Sequence, residues 1–181
     1  MNLLKLLFIF GISFCTLSLQ AQNYSDSTNQ IAGLKVDSLP KIDSIPSSAK
    51  IDKVISYAKK FMGTPYRYAG MTPSGFDCSG FINYVLGDFG FSLARTSYNM
   101  AEYGKTVKLS EVRKGDLIFF KGSSLKSSRI GHVGLITEVV DGQITFIHSS
   151  NSGVNITKFN NSRYYVPRFI KATRLDYGDT K

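Results

Sequence analysis

Apolar side chains recur at helical spacing in two stretches of the first half of the chain. In the first stretch, "SSAKIDKVISYAKKFMG", the apolar positions lie three and four residues apart from Ile51 to Met62. Ser47 or Ser48 can cap the start of such a helix, and Gly63 can end it. The pattern therefore predicts an amphipathic helix over this segment.

The second stretch, "DCSGFINYVLGDFG", repeats this spacing from Cys78 to Phe89. Asp77 can serve as the N-cap and Gly90 as the stop signal, so Cys78 falls in the first turn of a predicted helix. The preceding segment, "TPYRYAGMTPSGF", is rich in proline and glycine and predicts a loop. A third, shorter helix is predicted in "TSYNMAEYG".

After about residue 114 the apolar positions come in short β-branched or aromatic runs that are separated by turn residues, which is typical of strands. These runs are "GDLIFF", "HVGLITEVV", "QITFIHSS", "VNITKF" and "YYVPRFIKATRL". Asp141-Gly142, between the second and third runs, predicts a tight hairpin. Helices first and strands second predict an α+β domain, with N-terminal helices packed on an antiparallel sheet of about five to six strands.

The first residues, 1–21, contain one lysine and then an unbroken apolar run that ends in small and polar residues. This layout predicts a secretory signal peptide, since the run is short for a membrane-spanning helix. Lipid attachment at Cys15 is the alternative, but the bulky Phe14 in front of it disfavours that modification. We therefore expect an exported protein of the periplasm or cell envelope, with peripheral association with the envelope as an option.

Residues 22–48 are rich in serine and aspartate and have no sustained period, which predicts a flexible linker. The folded domain is expected over residues 49–176, followed by a short C-terminal tail at 177–181.

The formal net charge of the chain is +9, which favours an anionic partner. For an exported protein, an acidic envelope polymer fits better than nucleic acid, because no run of lysine and arginine interleaves with aromatic residues. A solvated basic surface without a binding role is the alternative.

Loss of the signal peptide would leave Cys78 as the only cysteine, without a partner for an internal disulfide. Such a residue is either a buried, inert side chain or a reactive thiol. A helix N-terminus favours the thiolate, and the amides of Cys78 and Ser79 could hold an oxyanion. Gly80 would keep side-chain bulk away from the attacking sulfur. The pattern thus favours a nucleophilic cysteine.

A cysteine nucleophile usually needs a base, and the sequence contains two histidines, His132 and His148, at the outer ends of the predicted hairpin. A two-residue Asp141-Gly142 loop in a regular hairpin would place them on opposite faces of the sheet. To bring both to one cysteine, we predict an odd-length loop or a β-bulge near Gly142. His132 is then the base and His148 the residue that orients it, although spacing alone leaves the reverse assignment open.

The histidines lack the HExxH spacing and have no companion cysteines, so we expect no metal and no cofactor.

Five segments, taken in order, resemble the NlpC/P60 cell-wall cysteine peptidases of the papain-like clan. They are "GTPYRYAG", "FDCSGF", "GDLIFF", "HVGLI" and "FIHSS". The resemblance covers about residues 50–172 and implies a papain-like fold with the catalytic cysteine at a helix N-terminus.

The resemblance also implies residue roles. It places the nucleophile at Cys78, the base at His132 and the polar residue that orients the base at His148. It further implies a tyrosine that hydrogen-bonds near the oxyanion site, which falls on Tyr66 in preference to Tyr68.

On the substrate side, the resemblance implies Ser79, and we add Asp77 and Arg95, the arginine retained from a pair that the family often has after the second helix, as candidate substrate-binding residues. Arg95 could equally be structural. Ala94 and Met100 stand where the family often has proline and glutamine, which leaves the details of substrate fit open.

Together these features predict an exported peptidoglycan hydrolase, a cysteine endopeptidase that cleaves amide bonds of stem peptides or cross-links. We expect it to be a monomer whose partner is the peptidoglycan stem peptide, with no role for nucleic acid. The alternatives are an N-acetylmuramoyl-L-alanine amidase or an acyltransferase on the same fold, and a non-catalytic cell-wall binding module.

Overall fold

The computed structural model describes residues 47–178. The predicted signal peptide with Cys15, the predicted linker up to residue 46 and residues 179–181 lie outside the described residues.

The described residues form three α-helices and eight β-strands. The helices are α1 (Ser47–Lys59), α2 (Cys78–Gly87) and α3 (Ser97–Met100). The strands are β1 (Met71–Thr72), β2 (Gly75–Phe76), β3 (Lys105–Val107), β4 (Leu117–Lys121), β5 (Ile130–Val140), β6 (Gln143–Ser150), β7 (Gly153–Lys158) and β8 (Phe169–Arg174). No helix among residues 47–178 is long and apolar enough to cross a membrane.

The main sheet has six antiparallel strands in the order β3-β8-β4-β5-β6-β7, and β1 and β2 form a separate small hairpin. The α+β class and the strand number are therefore as predicted. The sequence did not predict β3, β1 or β2, because strands of two or three residues are too short to display a period of their own.

The two longer helices occupy the predicted segments, with shifted ends. α1 buries one apolar stripe, which consists of Ile51, Val54, Ile55 and Ala58. It ends at Lys59, before the predicted stop at Gly63, whose N–H donates instead to the carbonyl of Val154 on β7. α2 begins at Cys78 as predicted and ends at Gly87, also before its predicted stop at Gly90.

Apolar residues cover both faces of the sheet. On β4 the buried side chains alternate: Leu117 and Phe119 join the cluster that contains α1 and α2, whereas Ile118 and Phe120 join the cluster on the other face. The continuous apolar run "LIFF" of β4 fits a strand that is buried on both faces. The central part of the sheet is therefore covered by apolar side chains on both sides.

The folded domain includes one residue of the predicted C-terminal tail. The ring of Tyr177 is buried 5.0 Å from that of Phe91, and its hydroxyl donates to the carbonyl of Gly115 at 2.9 Å. These contacts fix the chain after β8 against the helical face of the sheet.

Candidate active site

Asp77 sets the position of the cysteine. Its carboxylate accepts a hydrogen bond from the Gly80 N–H at 2.6 Å and caps α2, so that Cys78 is the first helical residue. Cys78 is 9% exposed, and its sulfur lies 4.0 Å from the carbonyl oxygen of Gly131, the residue before His132. The start of α2 therefore faces the start of β5.

The surroundings of Cys78 do not favour the thiolate in the free protein, in contrast to the expectation from its helical position. Burial, followed by the charge of Asp77, raises the pKa of the Cys78 thiol. The backbone N–H groups of Val133, Ser79 and Cys78 itself lower that pKa, but their effect is the smaller one. The thiol is therefore protonated in the free protein, and a nucleophilic role for it would require a base.

The hairpin of β5 and β6 has a two-residue loop. Val140 pairs with Gln143, and both loop residues, Asp141 and Gly142, have positive φ angles of 49° and 76°. Such angles match the type I′ turn that suits tight hairpins. Of the two predicted alternatives, an odd-length loop or a β-bulge, the loop is therefore not the one that forms.

A β-bulge supplies the change of register instead. Ile136 pairs with Phe146 and Glu138 with Thr145, so Thr137 is the extra residue of β5. The bulge lies further into the strand than the predicted position near Gly142. It has the predicted consequence, because it brings the two histidine side chains to the same face of the sheet.

The two imidazoles are in direct contact. His132 Nε2 and His148 Nδ1 lie 2.9 Å apart, with ring planes at 89°. Burial lowers the pKa of both histidines, and the nearby His132 lowers that of His148 further. Both rings are therefore neutral at neutral pH, and one nitrogen of His132 is engaged by His148.

Three side chains that no sequence pattern indicated complete the surroundings of the histidines. The ring of Tyr165 stacks on His132 with centroids 5.8 Å apart, and the hydroxyl of Thr157 lies 3.0 Å from His148 Nε2. Asn155, opposite His148 in the ladder of β6 and β7, contacts Thr157. The strand register could have suggested Asn155 and Thr157. Tyr165 lies in the first part of the predicted strand run "YYVPRFIKATRL", which forms a turn and a short 3₁₀ helix (Val166–Arg168) instead of a strand, so no strand period indicated where its ring packs.

One cleft of about 580 Å³ collects the four residues predicted to be catalytic. Cys78, His132, His148 and Tyr66 all contribute to its lining. The structure thus brings together residues from α2, β5, β6 and the loop before β1.

Of the two candidate tyrosines, Tyr66 is the one beside the cysteine in this cleft. It is 37% exposed, whereas Tyr68 is 88% exposed and borders a neighbouring cleft. Burial, and then the proximity of Cys78 and Asp77, raise the pKa of Tyr66. Its hydroxyl therefore stays protonated and can donate a hydrogen bond.

Asp77, Ser79 and Arg95, the three candidate substrate-binding residues, contact one another. Arg95 Nη1 donates to Asp77 Oδ1 at 3.1 Å and to Ser79 Oγ at 3.0 Å, and Arg95 Nη2 donates to Asp77 Oδ2 at 2.5 Å. The three residues line a second cleft of about 350 Å³, which shares Tyr66 and Cys78 with the first. Arg95 thus holds the N-terminus of α2 and also faces open space beside the cysteine.

Named bacterial proteins are similar in sequence to about two thirds of the chain or more. The chain is 41% identical over 130 residues to "Probable peptidoglycan endopeptidase LytE" of Bacillus subtilis (strain 168), a match of 71% of this chain and 36% of the relative. It is 33% identical over 124 residues to "Murein DD-endopeptidase MepS/Murein LD-carboxypeptidase" of Escherichia coli (strain K12), covering 68% of this chain and 62% of the relative. The chain therefore spans less than two thirds of the length of either relative.

The fold matches solved structures as well. The crystal structure of an NlpC/P60 family protein from Bacillus cereus ATCC 10987 superposes with a TM-score of 0.61 at 33% identity, over 68% of this chain and 39% of that one. This likeness confirms the papain-like, NlpC-type fold that the sequence resemblance implied. Residues 63–174 match the family model described as "NlpC/P60 family". From the match in sequence and in fold, we conclude that the chain belongs to the NlpC/P60 family.

Proposed function

We propose that this protein is an exported peptidoglycan hydrolase, a cysteine endopeptidase that cleaves amide bonds in stem peptides or cross-links. The observation that carries the proposal is the convergence of Cys78 and the His132–His148 pair on one cleft at the start of α2. The relatives named as peptidoglycan or murein endopeptidases support the substrate class.

The mechanism starts with proton transfer. Because burial raises the pKa of Cys78 and lowers that of His132, thiol and imidazole are both neutral before substrate binds. His132 then acts as general base: it takes the thiol proton as the sulfur attacks the carbonyl carbon. His148 holds the His132 ring in place through their 2.9 Å contact.

The attack places negative charge on the carbonyl oxygen. The N–H groups of Cys78 and Ser79 lie in the first turn of α2, where they have no acceptor within the helix, and they are suited to hold this oxyanion. The hydroxyl of Tyr66, which lines the same cleft and whose pKa is raised, can add a further hydrogen bond.

The tetrahedral species then collapses. The imidazolium of His132 gives its proton to the leaving amine, the C–N bond breaks, and a thioester to Cys78 remains. Water, deprotonated by His132, attacks the thioester and releases the acid and the thiol. Asp77, Ser79 and Arg95 line the adjoining cleft, where they can bind polar groups of the peptide.

For the whole chain we propose export through residues 1–21 to the periplasm or cell envelope, and action as a monomer.

Product analysis tests the function directly. Purified protein and its Cys78→Ala variant are incubated with peptidoglycan, and the products are read by mass spectrometry. We expect new amino ends within stem peptides with the unaltered protein and none with Cys78→Ala.

Other outcomes would identify the alternatives. Intact stem peptides released from the glycan would mean an amidase, and peptides joined to an added amine would mean an acyltransferase. If neither protein gave a product while both sedimented with the wall, a binding module would replace the proposal.

A further inference from the structure

We propose that Asn155 and Thr157 of β7 are positioning residues that select the tautomers of His148 and His132, leaving His132 Nδ1 unprotonated in the cleft that Cys78 also lines. The inference rests on the proposed function for its catalytic meaning. The structural evidence is a chain of hydrogen bonds in which each donor is determined by the one before it. The chain begins at the backbone carbonyl of Gly153.

The orientation of the Asn155 amide fixes the start of this chain. Its Nδ2 lies 2.8 Å from the carbonyl oxygen of Gly153 and 2.8 Å from Ser150 Oγ. A carbonyl oxygen can only accept, so the amide must direct its NH2 group toward Gly153. Its oxygen then faces Thr157, whose Oγ1 lies 3.2 Å away.

The Thr157 hydroxyl then determines which nitrogen of His148 is protonated. Its hydroxyl has one proton, which it donates to Asn155 Oδ1. At the contact of 3.0 Å with His148 Nε2, the hydroxyl oxygen must therefore accept. It follows that Nε2 of His148 carries the proton of that ring.

The tautomer of His148 in turn determines the tautomer of His132, the proposed base. A neutral imidazole has one N–H, so a proton on Nε2 makes His148 Nδ1 an acceptor. It takes the Nε2–H of His132 at 2.9 Å, and the Tyr165 hydroxyl, 3.4 Å from the same nitrogen, is also a donor. The proton of His132 is thus on Nε2, and its Nδ1 retains the lone pair that a general base needs.

The sheet register explains why β7 supplies both residues. Asn155 pairs with His148 across the β6–β7 ladder, and Thr157 pairs with Phe146, two residues before His148. Side chains two residues apart on a strand share a face, so both project to the face of the histidine. Burial keeps both imidazoles neutral, as the single N–H of each ring requires.

Nitrogen NMR of histidine-labelled protein tests the assignment without any substrate. Protonated and bare imidazole nitrogens have well-separated ¹⁵N chemical shifts. We expect protonated Nε2 and bare Nδ1 in both rings of the unaltered protein. In Thr157→Val, His148 loses the hydroxyl acceptor 3.0 Å from its Nε2 and keeps its side-chain hydrogen bond with Asn155. We therefore expect the His148 and His132 signals to shift part of the way toward the other tautomer.

Kinetics on soluble peptidoglycan fragments supply the second readout. We expect Thr157→Val to lower kcat by at least about tenfold with little change in KM, as is expected when a base is held in the wrong tautomer. Thr157→Ser restores the hydroxyl and should restore both kcat and the ¹⁵N pattern. Thr106→Val makes the same change at an exposed position of β3, at the opposite edge of the sheet, and should alter neither.

The outcomes separate this inference from the proposed function. A proton on His132 Nδ1 in the unaltered protein would overturn the inference even if the protein cleaves peptidoglycan. So would Thr157→Val with an unchanged ¹⁵N pattern and unchanged kcat. The expected ¹⁵N pattern in a protein that cleaves nothing would leave the tautomers assigned and overturn the proposed function.

Discussion

Gly80, in the first turn of α2, makes room for a neighbouring loop rather than for the sulfur. A Cβ atom at this position would lie 2.0 Å from the carbonyl oxygen of Gly70 and 3.1 Å from Asp77 Oδ1. The Gly70 carbonyl also accepts the Asp77 N–H at 3.0 Å. The expected role of Gly80 is to keep side-chain bulk away from the Cys78 sulfur, but its closest constraint is this contact between backbones.

We therefore expect Gly80→Ala to lower the free energy of unfolding by about 1–3 kcal/mol, despite the better helix propensity of alanine. The Cβ would push α2 away from the loop that holds Gly70. Urea denaturation measures the change.

Gly87→Ala is the matched control in the same helix, since a Cβ there meets nothing within 4 Å. It should leave stability unchanged or raise it by up to about 1 kcal/mol. Equal effects of the two substitutions would contradict the packing argument.

At the scale of secondary-structure elements, the sequence was sufficient to locate the hairpin and to require a change of register in it. The sequence did not locate the bulge at Thr137, because the bulge is accompanied by hydrogen bonds to residues outside the hairpin. Ile136 N–H donates to the carbonyl of Asp116, and the Ile136 carbonyl accepts the Gly115 N–H, both at 2.8 Å. Bonds of this kind depend on tertiary structure, which no pattern within the hairpin encodes.

The same limit applies to the site. Cys78, His132 and His148 are identifiable from residue type and spacing, because each lies in a regular element with a readable period. Thr157 is an ordinary strand residue in sequence, and Tyr165 follows an irregular segment. Their roles appear when β7 and the chain after it pack beside His148.

The ion pair of Arg95 and Asp77 connects two secondary-structure elements. Because Arg95 binds Asp77 through two nitrogens, it ties the segment before α3 to the helix N-terminus. We expect a double-mutant cycle of Arg95→Met and Asp77→Asn to give a coupling free energy of about 1 kcal/mol in urea denaturation. The Arg95 side chain is 37% exposed, which keeps the value modest.

A more exposed ion pair provides the comparison. Lys114 and Asp52 are 2.6 Å apart with both side chains largely exposed, so the cycle of Lys114→Met and Asp52→Asn should give a smaller coupling free energy. If the two cycles gave the same value, Arg95 would have no special role in holding α2.

At the scale of the whole molecule, the net charge of +9 predicts salt-sensitive binding to an anionic envelope polymer. We expect the fraction of Cys78→Ala protein that sediments with purified cell walls to fall as NaCl rises from about 0.05 M to about 0.5 M, because salt screens exposed charges. The inactive variant keeps the wall intact during the measurement.

Neutral sugars should not produce this dependence, so sedimentation with a neutral polysaccharide serves as the control. A bound fraction independent of salt would instead mean that the positive charge is a solvated surface without a binding role.

The contact between Cys78 and Gly131 joins parts of the chain that are 53 residues apart in sequence. Cys78 and His132 therefore come to line one cleft only when α2 and β5 have docked, and an unfolded copy keeps the two side chains apart. Under the proposed function, the chain has no hydrolytic activity while it is unfolded during synthesis and transport. Hydrolytic activity then appears when the native tertiary structure forms, and it is lost at the temperature at which that structure unfolds.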